Sequence, residues 1–124
     1  MNTILVVDDR PDARYALVRT LTGAGYDVRE TATGRDALRL ARTIPDLIVL
    51  DIALQDIDGF EVCRRLKSDT VTSAIPVVHK TAVFRDPEHR RRGLDAGANE
   101  YLTEPIDPHA LVGTVKRLLG SRGA

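Results

Sequence analysis

The sequence has little cysteine, no net charge and no long apolar run. Cys63 has no second cysteine to pair with, so an internal disulfide is excluded. Its place in an apolar helical pattern fits a core thiol in a reduced, cytoplasmic setting. Eighteen basic and eighteen acidic side chains cancel, which leaves no global field to draw the molecule to nucleic acid or to an anionic membrane. No stretch approaches the ~20 apolar residues of a membrane span. The opening Met-Asn-Thr-Ile-Leu-Val-Val lacks the basic flank and the apolar length of a secretion signal. Function must therefore come from a local site.

The chain does hold enough apolar material for one core, with 43% hydrophobic residues in 124. One domain is expected over residues 1–120, followed by a frayed tail, 121–124. Short apolar runs alternate five times with helical patterns, as in an α/β fold with a parallel sheet. The expected strands are 3–7, 26–31, 47–50, 77–81 and 100–102. Between them, apolar residues recur at the helical period: Ala13, Leu17, Leu21 and Ala24; Ala37, Ala41 and Ile44; Val62, Cys63 and Leu66; Leu111, Val115, Leu118 and Leu119. Asp86-Pro87 and Asp107-Pro108 read as helix starts, and Gly25, Gly97 and Gly120 as helix ends. The segment from Pro87 to Ala96 has Leu94 as nearly its only large apolar residue, and is expected to pack most loosely. Right-handed crossovers with helices on both faces give a flavodoxin-like doubly wound five-stranded parallel sheet of order 2-1-3-4-5.

In such sheets ligands bind beyond the carboxyl ends of the strands. Asp8 and Asp9 follow the first expected strand and Asp51 follows the third. Three converging carboxylates are costly unless a cation neutralises them, and an all-oxygen set suits a hard ion such as Mg²⁺.

Taken in order, Ile4-Leu5-Val6-Val7-Asp8-Asp9, Leu50-Asp51, Asp58-Gly59, Pro76 through Thr81-Ala82, and Gly97-Ala98-Asn99-Glu100-Tyr101-Leu102 resemble the motifs of receiver domains of two-component response regulators. The resemblance implies that Asp51 is a nucleophile that takes a phosphoryl group from a phosphohistidine on a histidine kinase or phosphotransfer protein. It implies Mg²⁺ held by the carboxylates of Asp9 and Asp51 and the backbone carbonyl of Ala53, with Asp8 acting mostly through water. It makes Thr81 the switch hydroxyl and Tyr101 the switch aromatic that turns inward. It also implies an output domain or a second copy of the chain at a face formed by residues 87–119, and no direct contact with nucleic acid or membrane.

One position departs from the family. Glu104-Pro105 stands where receivers have a lysine and a proline, so an anion replaces the cation that touches the phosphoryl group. At an effective dielectric of ~20, unit charges ~5 Å apart interact by roughly 3 kcal/mol, so the exchange is expected to slow phosphorylation or weaken its coupling to Thr81 and Tyr101. Lys80 is the nearest replacement in sequence. Strand alternation sets it opposite Thr81, which favours an exposed, solubilising lysine. Ala53 and Val83, flanking the acceptor and the switch hydroxyl, are expected to alter the lifetime of a phosphorylated state.

Two other readings compete. A receiver impaired by Glu104 would serve as a protein-interaction module. A magnesium-dependent phosphatase or nuclease would also use clustered acids, but no aspartate stands two residues after Asp51, no Walker glycine loop is present, and no histidine directly follows an expected strand. A turnover enzyme is therefore not expected.

Overall fold

Short Val- and Ile-rich runs suit strands that are covered on both faces. Three such runs form the centre of the sheet in the computed structural model, which describes residues 2–82 and 86–123, with side chains to residue 120. The elements run β1 (Thr3–Val7), α1 (Pro11–Gly23), β2 (Asp27–Thr31), α2 (Gly34–Ala41), β3 (Leu47–Asp51), α3 (Gly59–Ser68), β4 (Val77–Thr81), α4 (Pro87–Asp95), β5 (Glu100–Thr103) and α5 (Pro108–Gly123). All pairings are parallel and the order is β2-β1-β3-β4-β5, the expected flavodoxin-like arrangement. Val83 lies outside the described residues.

Alternation along the strands divides the core into two layers. Ile4, Val6, Leu47, Val49 and Val78 face Leu17 and Leu21 of α1 and Leu111 and Val115 of α5. Leu5, Val7, Ile48, Leu50 and Val77 face Ala37 and Ala41 of α2 and Val62, Cys63 and Leu66 of α3. Burial pushes the Cys63 thiol up to about 11, as befits an inert core cysteine. The polar sequence of β2 fits its place at the sheet edge, where it is mostly exposed.

The helix starts follow the expected chemistry. Asp86 accepts a hydrogen bond from the His89 N–H at 3.2 Å, with Pro87 opening α4. Asp58 accepts from Phe60 N–H at 2.7 Å, and Asp56 accepts from the Gly34 and Arg35 N–H groups at the start of α2 at 2.9 and 3.0 Å. Gly25 and Gly97 adopt φ of 97° and 106°, which side-chain-bearing residues rarely take.

Three local expectations change. Ile44 does not extend the stripe of α2, because that helix ends at Ala41 and Ile44 turns outward with φ 57°. Helix α5 continues past Gly120 to Gly123. In α4 the inward position belongs to Gly93, while Leu94 points to solvent. A Cβ on Gly93 would lie 2.8 Å from the Tyr101 ring and 3.2 Å from His79, so the absent side chain lets the helix sit on β4 and β5.

Strand order reverses between β1 and β3, which opens the crevice at their carboxyl ends. Gly59 packs on the backbone of Asp51 and Ile52. A Cβ there would meet the Asp51 carbonyl oxygen and lie 2.5 Å from Ile52 Cα, and backbone cannot swing away as a side chain can. Gly59→Ala is therefore expected to destabilise the protein by ~1–3 kcal/mol or more in urea unfolding, whereas Gly113→Ala, with open space around it, is not.

Candidate functional site: an acid cluster holding a buried lysine

Asp8 continues β1 and Asp51 ends β3, and the ladder pairs Val7 with Leu50, so the two acids sit side by side. Asp8 is fully buried and Asp51 is 3% exposed. Asp9 joins them at the rim, and one carboxylate oxygen from each of the three lies within 4.8 Å of the others. Asp9, Asp51 and Ala53, with Arg10 and Ala82, line a cavity of about 100 Å³. The predicted metal ligands are thus brought together.

The expectation for Lys80 is overturned. Its side chain is fully buried, and its Nζ donates to Asp8 Oδ2 at 2.5 Å and to Glu104 Oε1 at 2.6 Å. Alternation does set Lys80 opposite Thr81, but the relevant neighbour is across the ladder. Lys80 pairs with Asp51, and paired residues in a parallel sheet share a face. The acids and the lysine therefore project from one side of the sheet.

Glu104 is also not the isolated anion that the sequence suggested. It receives Lys80 and, at 2.7 Å, the guanidinium of Arg10. Its backbone N–H donates to Thr81 O at 2.7 Å, and its bond to Pro105 is cis. Burial disfavours the Glu104 charge, but hydrogen bonds from Lys80 and Arg10 outweigh this and hold its pKa below the usual range. Burial likewise works against the Lys80 ammonium, and its bonds to Asp8 and Glu104 overcome that and raise its pKa. Arg10 is raised by its hydrogen bond to Glu104 and by the charges of Asp8 and Asp51. Sequence reasoning missed Arg10 altogether.

Burial pushes Asp51 up to about 6, with Asp8 and Asp9 adding to the rise while Lys80 and the Ala53 N–H oppose it. Thr81 is fully buried at the end of β4. Tyr101 is already inward, 1% exposed, packed with Ile52 and Phe60 and edge-on to His79 at 6.2 Å between ring centroids. His79 Nδ1 donates to Leu50 O at 3.3 Å, and burial lowers its pKa to about 4. Two arginines of α4 reach inward: Arg90 donates to Tyr101 O at 2.9 Å, and Arg92 covers the Phe60 ring at 4.5 Å.

An acid triad at the switch point of this sheet, with a lysine among the carboxylates and a buried hydroxyl and aromatic on the neighbouring strands, defines a class: the receiver domain of two-component signalling. The family comparison agrees, since the response regulator receiver domain matches residues 4–116, and the chain belongs to that family. It is 40% identical over 120 residues to the DNA-binding dual master transcriptional regulator RpaA of Synechocystis, a match covering 96% of this chain and 49% of that protein. The chain thus spans about half the length of that relative. A putative response regulator from Chloroflexus aurantiacus superposes with a TM-score of 0.91 at 38% identity, over 96% of this chain and 98% of its own. The receiver domain of a Pseudomonas aeruginosa sensor histidine kinase, solved with a magnesium ion coordinated in the active site cleft, gives 0.88 at 29% identity over 96% and 98%.

The raised pKa of Asp51 has a thermodynamic consequence. A carboxyl that binds its proton more tightly when folded than when unfolded costs stability above its folded pKa, and the cost is relieved as the pH falls toward the unfolded value. Without divalent metal at pH 7.5, Asp51→Asn should melt at a higher temperature than the wild type. Thermal scans should show that gap closing between about pH 6 and about pH 4, because the folded value is about 6. His79 titrates in the same range but is present in both proteins, so it drops out of the difference.

Proposed function

We propose that the chain is a phosphoacceptor in two-component phosphorelay signalling, taking a phosphoryl group onto Asp51 from a histidine kinase or phosphotransfer protein. The observation that carries this reading is the trio of Asp8, Asp9 and Asp51 oxygens within 4.8 Å at the open end of the sheet, beside a cavity that reaches the acceptor. The donors are all oxygen and the cluster is anionic, which fits Mg²⁺. Asp9 and Asp51 would hold the ion with the Ala53 carbonyl. Asp8 is occupied on both oxygens, by Lys80 and by the Arg10 N–H at 2.9 Å, which suits a role through water. When bound, Mg²⁺ supplies charge neutralisation between the acids and the incoming phosphoryl oxygens.

The chain's own residues do the rest. A carboxylate oxygen of Asp51 forms the new O–P bond as the phosphohistidine N–P bond breaks, and the imidazole leaves with the electron pair. Gly59, packed on the Asp51 backbone, fixes the nucleophile from behind. Thr81, at the end of β4, would donate to a phosphoryl oxygen, and Tyr101, lying between Phe60 and Gly93, would report that contact to α4. The face formed by residues 87–119 is the proposed output surface, toward an output domain or a second copy. Ion pairs from Glu100 to Arg90 at 3.3 Å and to Arg117 at 2.7 Å tie its three elements together. A cytoplasmic location suits this role, and among the described residues no helix is long and apolar enough to cross a membrane.

Incubation with acetyl phosphate and Mg²⁺ should add one phosphate by intact mass, and neither Asp51→Asn nor the wild type in EDTA should gain it. An adduct that survives Asp51→Asn would place the acceptor elsewhere.

A further inference from the structure

We infer that Lys80 is the phosphoryl-binding cation of this site, delivered from β4, and that Glu104 is its holder and not an electrostatic opponent of phosphorylation. The inference rests on the reading of Asp51 as acceptor and extends it to residues that the family pattern would set aside. Three observations carry it. Lys80 stands opposite Asp51 in the β3–β4 register, so its stem rises on the acceptor's face. Its ammonium is fully buried at the strand ends, within hydrogen-bond distance of both Asp8 and Glu104. Arg10 binds the same Glu104 oxygen that Lys80 does, so Glu104 is neutralised from outside as well as from within.

The charge count explains why the arrangement works. Four carboxylates, Asp8, Asp9, Asp51 and Glu104, meet two cations, Lys80 and Arg10. The net formal charge equals that of three acids and one lysine, so the anion at position 104 is offset by Arg10. An ammonium donates three hydrogen bonds. Asp8 and Glu104 take two, and a phosphoryl oxygen on Asp51 is the acceptor for the third. The transfer itself is unchanged: the O–P bond to Asp51 forms, the donor's N–P bond breaks, and Lys80 keeps all its protons, contributing charge at a fixed position.

Removing the ammonium also leaves Asp8 and Glu104 without it, so the test pairs the removal with the return of a cation from position 104. The test compares wild type, Lys80→Met, and the double variant Lys80→Met with Glu104→Lys, which returns the cation to β5. Phosphorylation by acetyl phosphate and Mg²⁺ is followed by intact mass, and beryllofluoride binding by ¹⁹F NMR. Melting temperature and Mg²⁺-induced amide shifts establish that each variant is folded and binds metal. Lys80→Met is expected to slow adduct formation by about tenfold or more and to lose the bound fluoride signals, while the double variant recovers both.

Lys80→Met reacting at the wild-type rate, or a folded double variant as slow as the single one, overturns the inference while leaving Asp51 as acceptor. A wild type that forms no adduct overturns both. Should Lys80→Met fail to fold, the ¹⁵Nζ signal of Lys80 in the wild type decides. It is expected to shift on adding beryllofluoride with Mg²⁺ beyond its shift with Mg²⁺ alone, and an unmoved signal refutes the role.

Discussion

The rest of the site depends on one buried cation. Lys80 has no exposed surface, and its ammonium is held by Asp8 and Glu104. Taking such a charge out of water costs several kcal/mol per ion, recovered only where the partners are close and well oriented. That condition ties together three strand ends that are far apart in sequence. Asp8 must follow β1, Lys80 must stand next to last in β4 on the acceptor's face, and Glu104 must follow β5 within reach of both Lys80 and Arg10. Each member makes the others affordable, so a glutamate at position 104 is intelligible only together with Lys80 and Arg10.

The same strand ends link chemistry to surface. β4 is buried at every position, although it carries His79 and Lys80 in its middle. His79 faces Phe60 and Tyr101 on one side of the sheet while Lys80 faces the acids on the other. Thr81 then ends the strand, and on the neighbouring strand Tyr101 lies against Gly93 of α4. That helix buries little beyond Gly93, so it is held mainly by Arg90 on the Tyr101 carbonyl and Arg92 over Phe60. An element anchored by a few polar contacts is the one most readily repositioned.

How far the sequence was legible follows from which interactions are local. β1 and β3 could be read because apolar runs ending in acids are contiguous features, and the Asp86 cap could be read because it spans three residues. The acid triad followed from topology alone. Lys80 was misread because alternation compared it with Thr81, its chain neighbour, when its partner was Asp51 across a ladder whose register no local pattern reveals. Arg10 was missed for the same reason: its partner is 94 residues away. The sparse apolar content of α4 could be read, but no local pattern shows that Gly93, and not Leu94, is the position that meets the Tyr101 ring.

The central claim is that the cation of this receiver comes from β4, and a crystal structure of the wild type with Mg²⁺ and beryllofluoride tests it most directly. The account predicts Lys80 Nζ within hydrogen-bond distance of a fluoride on Asp51, with Glu104 still held by Arg10. A fluoride contacted by Arg10 or by no cation other than Mg²⁺, with Lys80 Nζ remaining on Asp8 and Glu104 alone, would contradict it.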